Sequence, residues 1–178
     1  MSIRSIAVFC GSKSGLNLIF EQHTTQLGKL LAQHGITIIY GGGNKGLMGA
    51  VANASITEGG KVIGIIPKLL SIQEHQHDGL TELFVVESMH IRKQMLYEKA
   101  DAAIILPGGY GTLDEVFEML TWNQLNIHNK QIFILNSAGF YTHLIAHIQM
   151  MDSEQMLYNH PDTYMTVLDQ PDALIPFF

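Results

Sequence analysis

Two stretches of this 178-residue chain bring together residue types that can do chemistry. The first is LPGGYGTLDE, residues 106–115, where an apolar run, DAAIIL (101–106), drives into a proline and three glycines. A helical pattern then starts at Thr112 and carries Asp114 and Glu115 in its first turn. Amides at a helix N-terminus attract anions, and glycine lets them approach a ligand closely, so the loop suits a phosphate. Carboxylates repel phosphate and call for a second explanation. Thr112-x-x-Glu115 spells a capping box, in which Glu115 bonds back to its own helix start; the competing reading is a carboxylate that acts on substrate. The second stretch is ESMHIRK (87–93), which sets Arg92 and Lys93 near a helix start, where the macrodipole disfavours cations. Either the pair is solvated, away from the core, or a bound anion offsets the placement. Met89, Arg92 and Leu96 share one helical face.

Two further segments, CGSKSG (10–15) and GGGNKGLMG (41–49), are rich in glycine or serine. Gly41, Gly43 and Gly46 match the dinucleotide spacing G-x-G-x-x-G, but the next strand ends in IIPK and lacks the acid that holds a ribose. That disfavours a nicotinamide-dependent oxidoreductase. A P-loop's Gly-Lys-Ser/Thr is absent. Tight turns plus a small-residue helix face (Gly46, Gly49, Ala50) compete with nucleotide contact here. The histidines of EHQHD (74–78), and His143 with His147, match no metalloprotease or zinc-finger spacing and read as solvent-exposed, so no metal is expected. Cys10 reads as packing, and the methionines and Trp122 fall at core spacing.

These segments need elements to hold them. Apolar runs at 6–10, 36–40, 61–66, 83–87, 102–106 and 131–135 read as strands, apolar throughout as in a parallel sheet covered on both faces. Helical patterns fill 18–34, 47–58, 90–99, 112–125 and 141–151, and 67–81 reads as a loop. The alternation predicts a single-domain α/β fold, doubly wound and Rossmann-like, over 1–178. Ligands in such a sheet bind beyond the carboxyl ends of the strands. That rule selects the four segments above and adds Gly11, Ser12, Gly42 and Gly43 as substrate-binding candidates.

With 47% hydrophobic and 15% charged residues the chain is a globular protein. No apolar run reaches the roughly 18 residues of a membrane span, and the start lacks a signal peptide's layout. One cysteine fits a reducing cytoplasm. A formal charge of −6 argues against a nucleic-acid partner.

PGGYGTLDE, preceded by SMHIRKQM and GGGNKGLMG, closely resembles the Lonely Guy family of phosphoribohydrolases, proteins often labelled lysine decarboxylases. The resemblance runs from VFCGS (8–12) to VLDQPDALI (167–175). It implies hydrolysis of the N-glycosidic bond of nucleoside 5′-monophosphates, AMP or cytokinin riboside monophosphates, to free base and ribose 5-phosphate. It makes Arg92 and Glu115 the catalytic pair. It makes Gly108, Gly109, Tyr110, Gly111, Thr112, Leu113 and Asp114 nucleotide contacts, together with Glu74, Met89, Lys93 and Thr121. The chain departs from the family where a PREI-like segment reads IQEH (72–75). No cofactor and a homodimer with its site near the subunit interface are implied. A pyridoxal-phosphate decarboxylase would need a larger scaffold and a Schiff-base lysine. The alternative is a non-catalytic nucleotide or molybdenum-cofactor carrier.

Overall fold

In a computed structural model the described residues are 3–71 and 76–178, so Glu74 lies outside them. The elements alternate as β1 (Ser5–Phe9), α1 (Leu18–Gln33), β2 (Thr37–Tyr40), α2 (Gly46–Thr57), β3 (Val62–Pro67), α3 (Lys68–Ser71), β4 (Glu82–Val86), α4 (Met89–Lys99), β5 (Ala102–Ile105), α5 (Tyr110–Gln124), β6 (Ile132–Leu135), α6 (Thr142–Ser153) and β7 (Met165–Leu168). The strands form one sheet in the order β4-β3-β2-β1-β5-β6-β7, every neighbour parallel. The doubly wound α/β expectation holds.

Both faces of the sheet are covered, which is why its strands are apolar throughout rather than alternating. Ile6, Val8, Ile38 and Tyr40 bury against Leu27, Leu31, Leu47 and Val51 of α1 and α2. Ala7, Phe9, Ile39 and Ile105 bury on the other side, against Leu96, Tyr97, Val116, Met119 and Ile148 of α4, α5 and α6. The strand order reverses between β1 and β5, whose registers align Phe9 with Ile105. A crevice opens at such a switch point, because the two crossovers leave it in opposite directions.

Several expectations need correction. β7 was not foreseen. The predicted loop 67–81 holds regular structure among its described residues: Pro67 closes β3, α3 follows, and Gln76 bridges to Gly43. His77 is buried rather than exposed; its Nδ1 accepts from Gly79 N, so Nε2 donates to Asn53 Oδ1 at 2.9 Å. The close helix contact is made by Gly28 of α1, where a Cβ would meet Val51 O at 2.5 Å and Ala54 Cβ at 2.9 Å. Of the small-residue face expected to lie close to the sheet, Gly46 packs on Ser12 and Lys13 beyond β1 and Gly49 on Asn44, a Cβ at either coming within 2.5 Å of those atoms. Met48 and Met119 are core, but Met150 and Met156 are exposed.

Candidate active site

α5 begins two residues earlier than its sequence suggests. Gly109 is the N-cap, Tyr110 the first helical residue, and no side chain caps the helix. The capping box is therefore overturned: Thr112 lies inside the helix, and Asp114 and Glu115 fall beyond its first turn. Glu115 shares a helical face with Thr112, and both are buried. Its carboxylate cannot reach back to a cap at Thr112 because that residue is no cap. The glycine-rich start differs position by position. A Cβ on Gly108 would collide with the Thr112 side chain, whereas a Cβ on Gly109 or Gly111 would meet nothing within 4 Å. Neither Gly109 nor Gly111 has a positive φ. The protein gives no internal steric reason for glycine at these two positions, and a ligand lying against the amides would supply one.

Arg92 is also misjudged from sequence. It sits in the first turn of α4, behind the Ser88 cap whose Oγ accepts from Ile91 N at 3.3 Å. It is neither solvated nor away from the core, being only 8% exposed. Its Nε donates to Ile65 O at 3.2 Å, its Nη1 stands 3.6 Å from Glu115 Oε1, and its Nη2 occupies the space a Cβ on Gly41 would take. Gly41 is thus a glycine for the guanidinium's sake. The pair that offsets the dipole is an internal carboxylate. Lys93 is paired too, 2.9 Å from Asp114 and 3.2 Å from Glu118. Burial draws its pKa down, but the bonds to Asp114 and Glu118 outweigh this and hold it above its ordinary value. Tyr97 Oη donates to Glu118 at 2.6 Å and completes the α4–α5 clasp.

A pocket of about 560 Å³ opens at the β1–β5 switch point. Arg92, Thr112 and Glu115 line it, with 10–15, Pro107 and 108–111 around the rim. Of the candidates, Gly11, Ser12, Arg92, Gly108, Gly109, Tyr110, Gly111, Thr112 and Glu115 come together there. Gly42, Gly43, Met89, Lys93, Leu113, Asp114 and Thr121 do not line it. Gly42 O accepts from His77 N, and Gly43 O accepts from Tyr40 Oη at 3.1 Å. Leu113 packs into the core, and Thr121 Oγ1 donates to Phe117 O. Sequence reasoning missed Lys13, Phe20, Met48 and Phe140. Lys13 was in view within CGSKSG, and Phe140 follows a strand exit; Phe20 and Phe140 stack edge to face at 5.3 Å. Cys10 lies at the pocket but is no nucleophile: burial pushes its thiol pKa far up, the Glu115 charge adds to this, and Arg92 opposes it.

Among the described residues, no group of three or more His, Cys, Asp or Glu could hold a metal ion. Nor, among the described residues, is any helix long and apolar enough to cross a membrane.

Residues 48–177 match the family described as possible lysine decarboxylase. A Rhodococcoides fascians protein named cytokinin riboside 5′-monophosphate phosphoribohydrolase is 44% identical over 147 residues, 82% of this chain and 74% of its own. A protein of the same name with the suffix LOG, from Oryza sativa subsp. japonica, is 42% identical over 170 residues, covering 96% and 69%. Among solved structures, the molybdenum cofactor binding protein of Rippkaea orientalis superposes with a TM-score of 0.73 over 99% of this chain and 95% of that one. At 24% identity, that likeness speaks for the fold.

Proposed function

The chain belongs to the family described as possible lysine decarboxylase, and from that premise we propose that it is an N-glycosidase. It hydrolyses nucleoside 5′-monophosphates, AMP or cytokinin riboside monophosphates, to free base and ribose 5-phosphate; the relatives' names give cytokinin riboside 5′-monophosphate as the substrate for them. The observation that carries this reading is the buried Arg92–Glu115 pair on a pocket whose rim is the open glycine start of α5.

The 5′-phosphate lies against the amides of Gly109, Tyr110, Gly111 and Thr112, where the helix dipole favours negative charge. The ribose then falls beside Glu115. Departure of the base carries the bonding electron pair from the anomeric carbon to the base nitrogen and leaves an oxocarbenium-like sugar. The Glu115 carboxylate stabilises that cation, orients the attacking water and takes its proton as the new carbon–oxygen bond forms. The base takes up a proton from solvent as it leaves, and Glu115 returns the water's proton to solvent, so each turnover consumes one water. Arg92 is a positioning residue: tied to Ile65 O, it holds Glu115 in place.

The whole chain acts as one nucleotide-binding domain, without metal or cofactor, in the cytoplasm. Its partners are the substrate and a second copy of itself; nucleic acid is not among them. Exposed Met89 of α4, Phe117 of α5 and Leu125 just past the end of α5 support a dimer through that face. Thr121 belongs to α5 as well, and Met89, Lys93, Asp114 and Thr121 would act across that interface.

Incubation of the protein with AMP, followed by chromatography, tests the reading. Adenine and ribose 5-phosphate in equal amounts are expected. Intact AMP, with the protein still binding it, would point to a carrier instead.

A further inference from the structure

We propose that Lys13 is the pocket's phosphate-recognising side chain, selecting ligands that carry a phosphomonoester dianion. This rests on the reading of the pocket as a nucleoside-monophosphate site.

Among the described residues, three charged ones line the pocket: Lys13, Arg92 and Glu115. Arg92 and Glu115 face each other and their charges cancel, with Arg92 held further by Ile65 O. Among the described residues Lys13 makes no ion pair. The described lining therefore carries one surplus positive charge, on the exposed Lys13. A phosphomonoester near neutral pH carries about 1.5 to 2 negative charges, more than the fractional charge of a helix start can balance.

The backbone around Lys13 is fixed, although its side chain is exposed. Gly11 N donates to Pro107 O at 3.0 Å, which ties the 10–15 loop to the rim of α5. Leu47 N donates to Gly11 O at 3.1 Å, tying the same loop to α2. At Gly46, with φ +55°, a Cβ would come within 2.5 Å of Lys13 N, so the loop rests directly on the start of α2. A long cation on a pinned loop faces the α5 amides across one pocket, and the phosphate is held from both sides. The open space at Gly109 and Gly111 is where it fits.

The test is calorimetric titration of ribose 5-phosphate, with inorganic phosphate as the second probe, into the wild type, Lys13→Ala, Lys13→Glu and Lys13→Arg. Lys13→Ala should bind ribose 5-phosphate about tenfold more weakly, the usual worth of one charge-assisted contact. Lys13→Glu should bind more weakly still, and Lys13→Arg close to the wild type. In turnover of AMP the loss should fall in KM rather than in kcat. Unchanged affinity in Lys13→Ala overturns the inference, and so does a wild type that binds neither probe. A wild type that binds ribose 5-phosphate through Lys13 yet leaves AMP intact refutes the hydrolase reading and keeps this one.

Discussion

Arg92 of α4 and Glu115 of α5 meet at 3.6 Å with both side chains about nine-tenths covered, so each offsets part of the other's cost of leaving water. Removing one partner of such a pair leaves an uncompensated buried charge. Arg92→Ala should therefore unfold in urea with a stability lower by about 3 kcal/mol, besides losing turnover. Arg92→Lys should recover little of either, because an ammonium cannot serve Ile65 O and Glu115 with the geometry of the planar fork. Wild-type stability in Arg92→Ala would mean that Glu115 finds its compensation elsewhere.

The phosphate assignment makes adenosine a poor substrate. AMP and adenosine share the bond to be broken, and differ in the group that the α5 amides and the rim would hold. Losing several charge-assisted contacts should lower kcat/KM by about 10²-fold or more. Steady-state kinetics on both substrates measures this directly, and comparable values for the two would remove the phosphate from the start of α5.

Much of the frame was legible because its signals are local. Six of the seven strands announce themselves as apolar runs, the edge strand β4 among them, whereas β7 at the other edge is four residues long, only half buried, and set inside a polar stretch. The strand-exit rule found Gly11, Ser12 and the glycines before α5, since function at a switch point follows from topology. What stayed hidden is long-range. No local rule says that Arg92 is buried, that Lys93 is clasped by Asp114 and Glu118, or that His77 is tied to Asn53. The start of α5 was set two residues late because glycine reads as a loop signal, while here Gly109 and Gly111 begin a helix.

Those glycines give a graded prediction. Gly111→Ala puts a methyl group into open space within a helix, where alanine is favoured by about 0.5–1 kcal/mol, so the melting temperature should hold or rise. The same methyl group intrudes where the phosphate lies, so turnover of AMP should fall; Gly109→Ala should lose turnover in the same way, with a small loss of stability because alanine is a poorer N-cap than glycine. Gly108→Ala should instead destabilise, because its methyl collides with the Thr112 side chain. Thermal melts and AMP kinetics on the three variants separate the two effects. Full activity in Gly109→Ala and Gly111→Ala would place the ligand elsewhere.

A homodimer through α4 and α5 predicts a dimer mass by light scattering at micromolar concentration. Charge placed on that face, as in Phe117→Glu, should shift the mass toward the monomer, since Phe117 is partly exposed. A monomer mass for the wild type would count against the shared interface.

Glu115→Gln is the most discriminating change. With Gly109 as the N-cap and no side-chain cap present, Glu115 has no capping duty that glutamine would take over. Glutamine keeps the shape of the side chain and an oxygen toward Arg92, but carries no charge. The variant leaves the Arg92 cation unbalanced, so some stability should be lost, and the melting temperature must be read beside the rate. If Glu115 stabilises the oxocarbenium-like sugar and takes the water's proton, turnover of AMP should fall by about 10²–10⁴, with KM little changed. Ribose 5-phosphate should still bind, since its phosphate contacts lie at the rim. A folded Glu115→Gln protein with near-normal turnover would remove Glu115 from the chemistry and leave it as the counter-ion of Arg92.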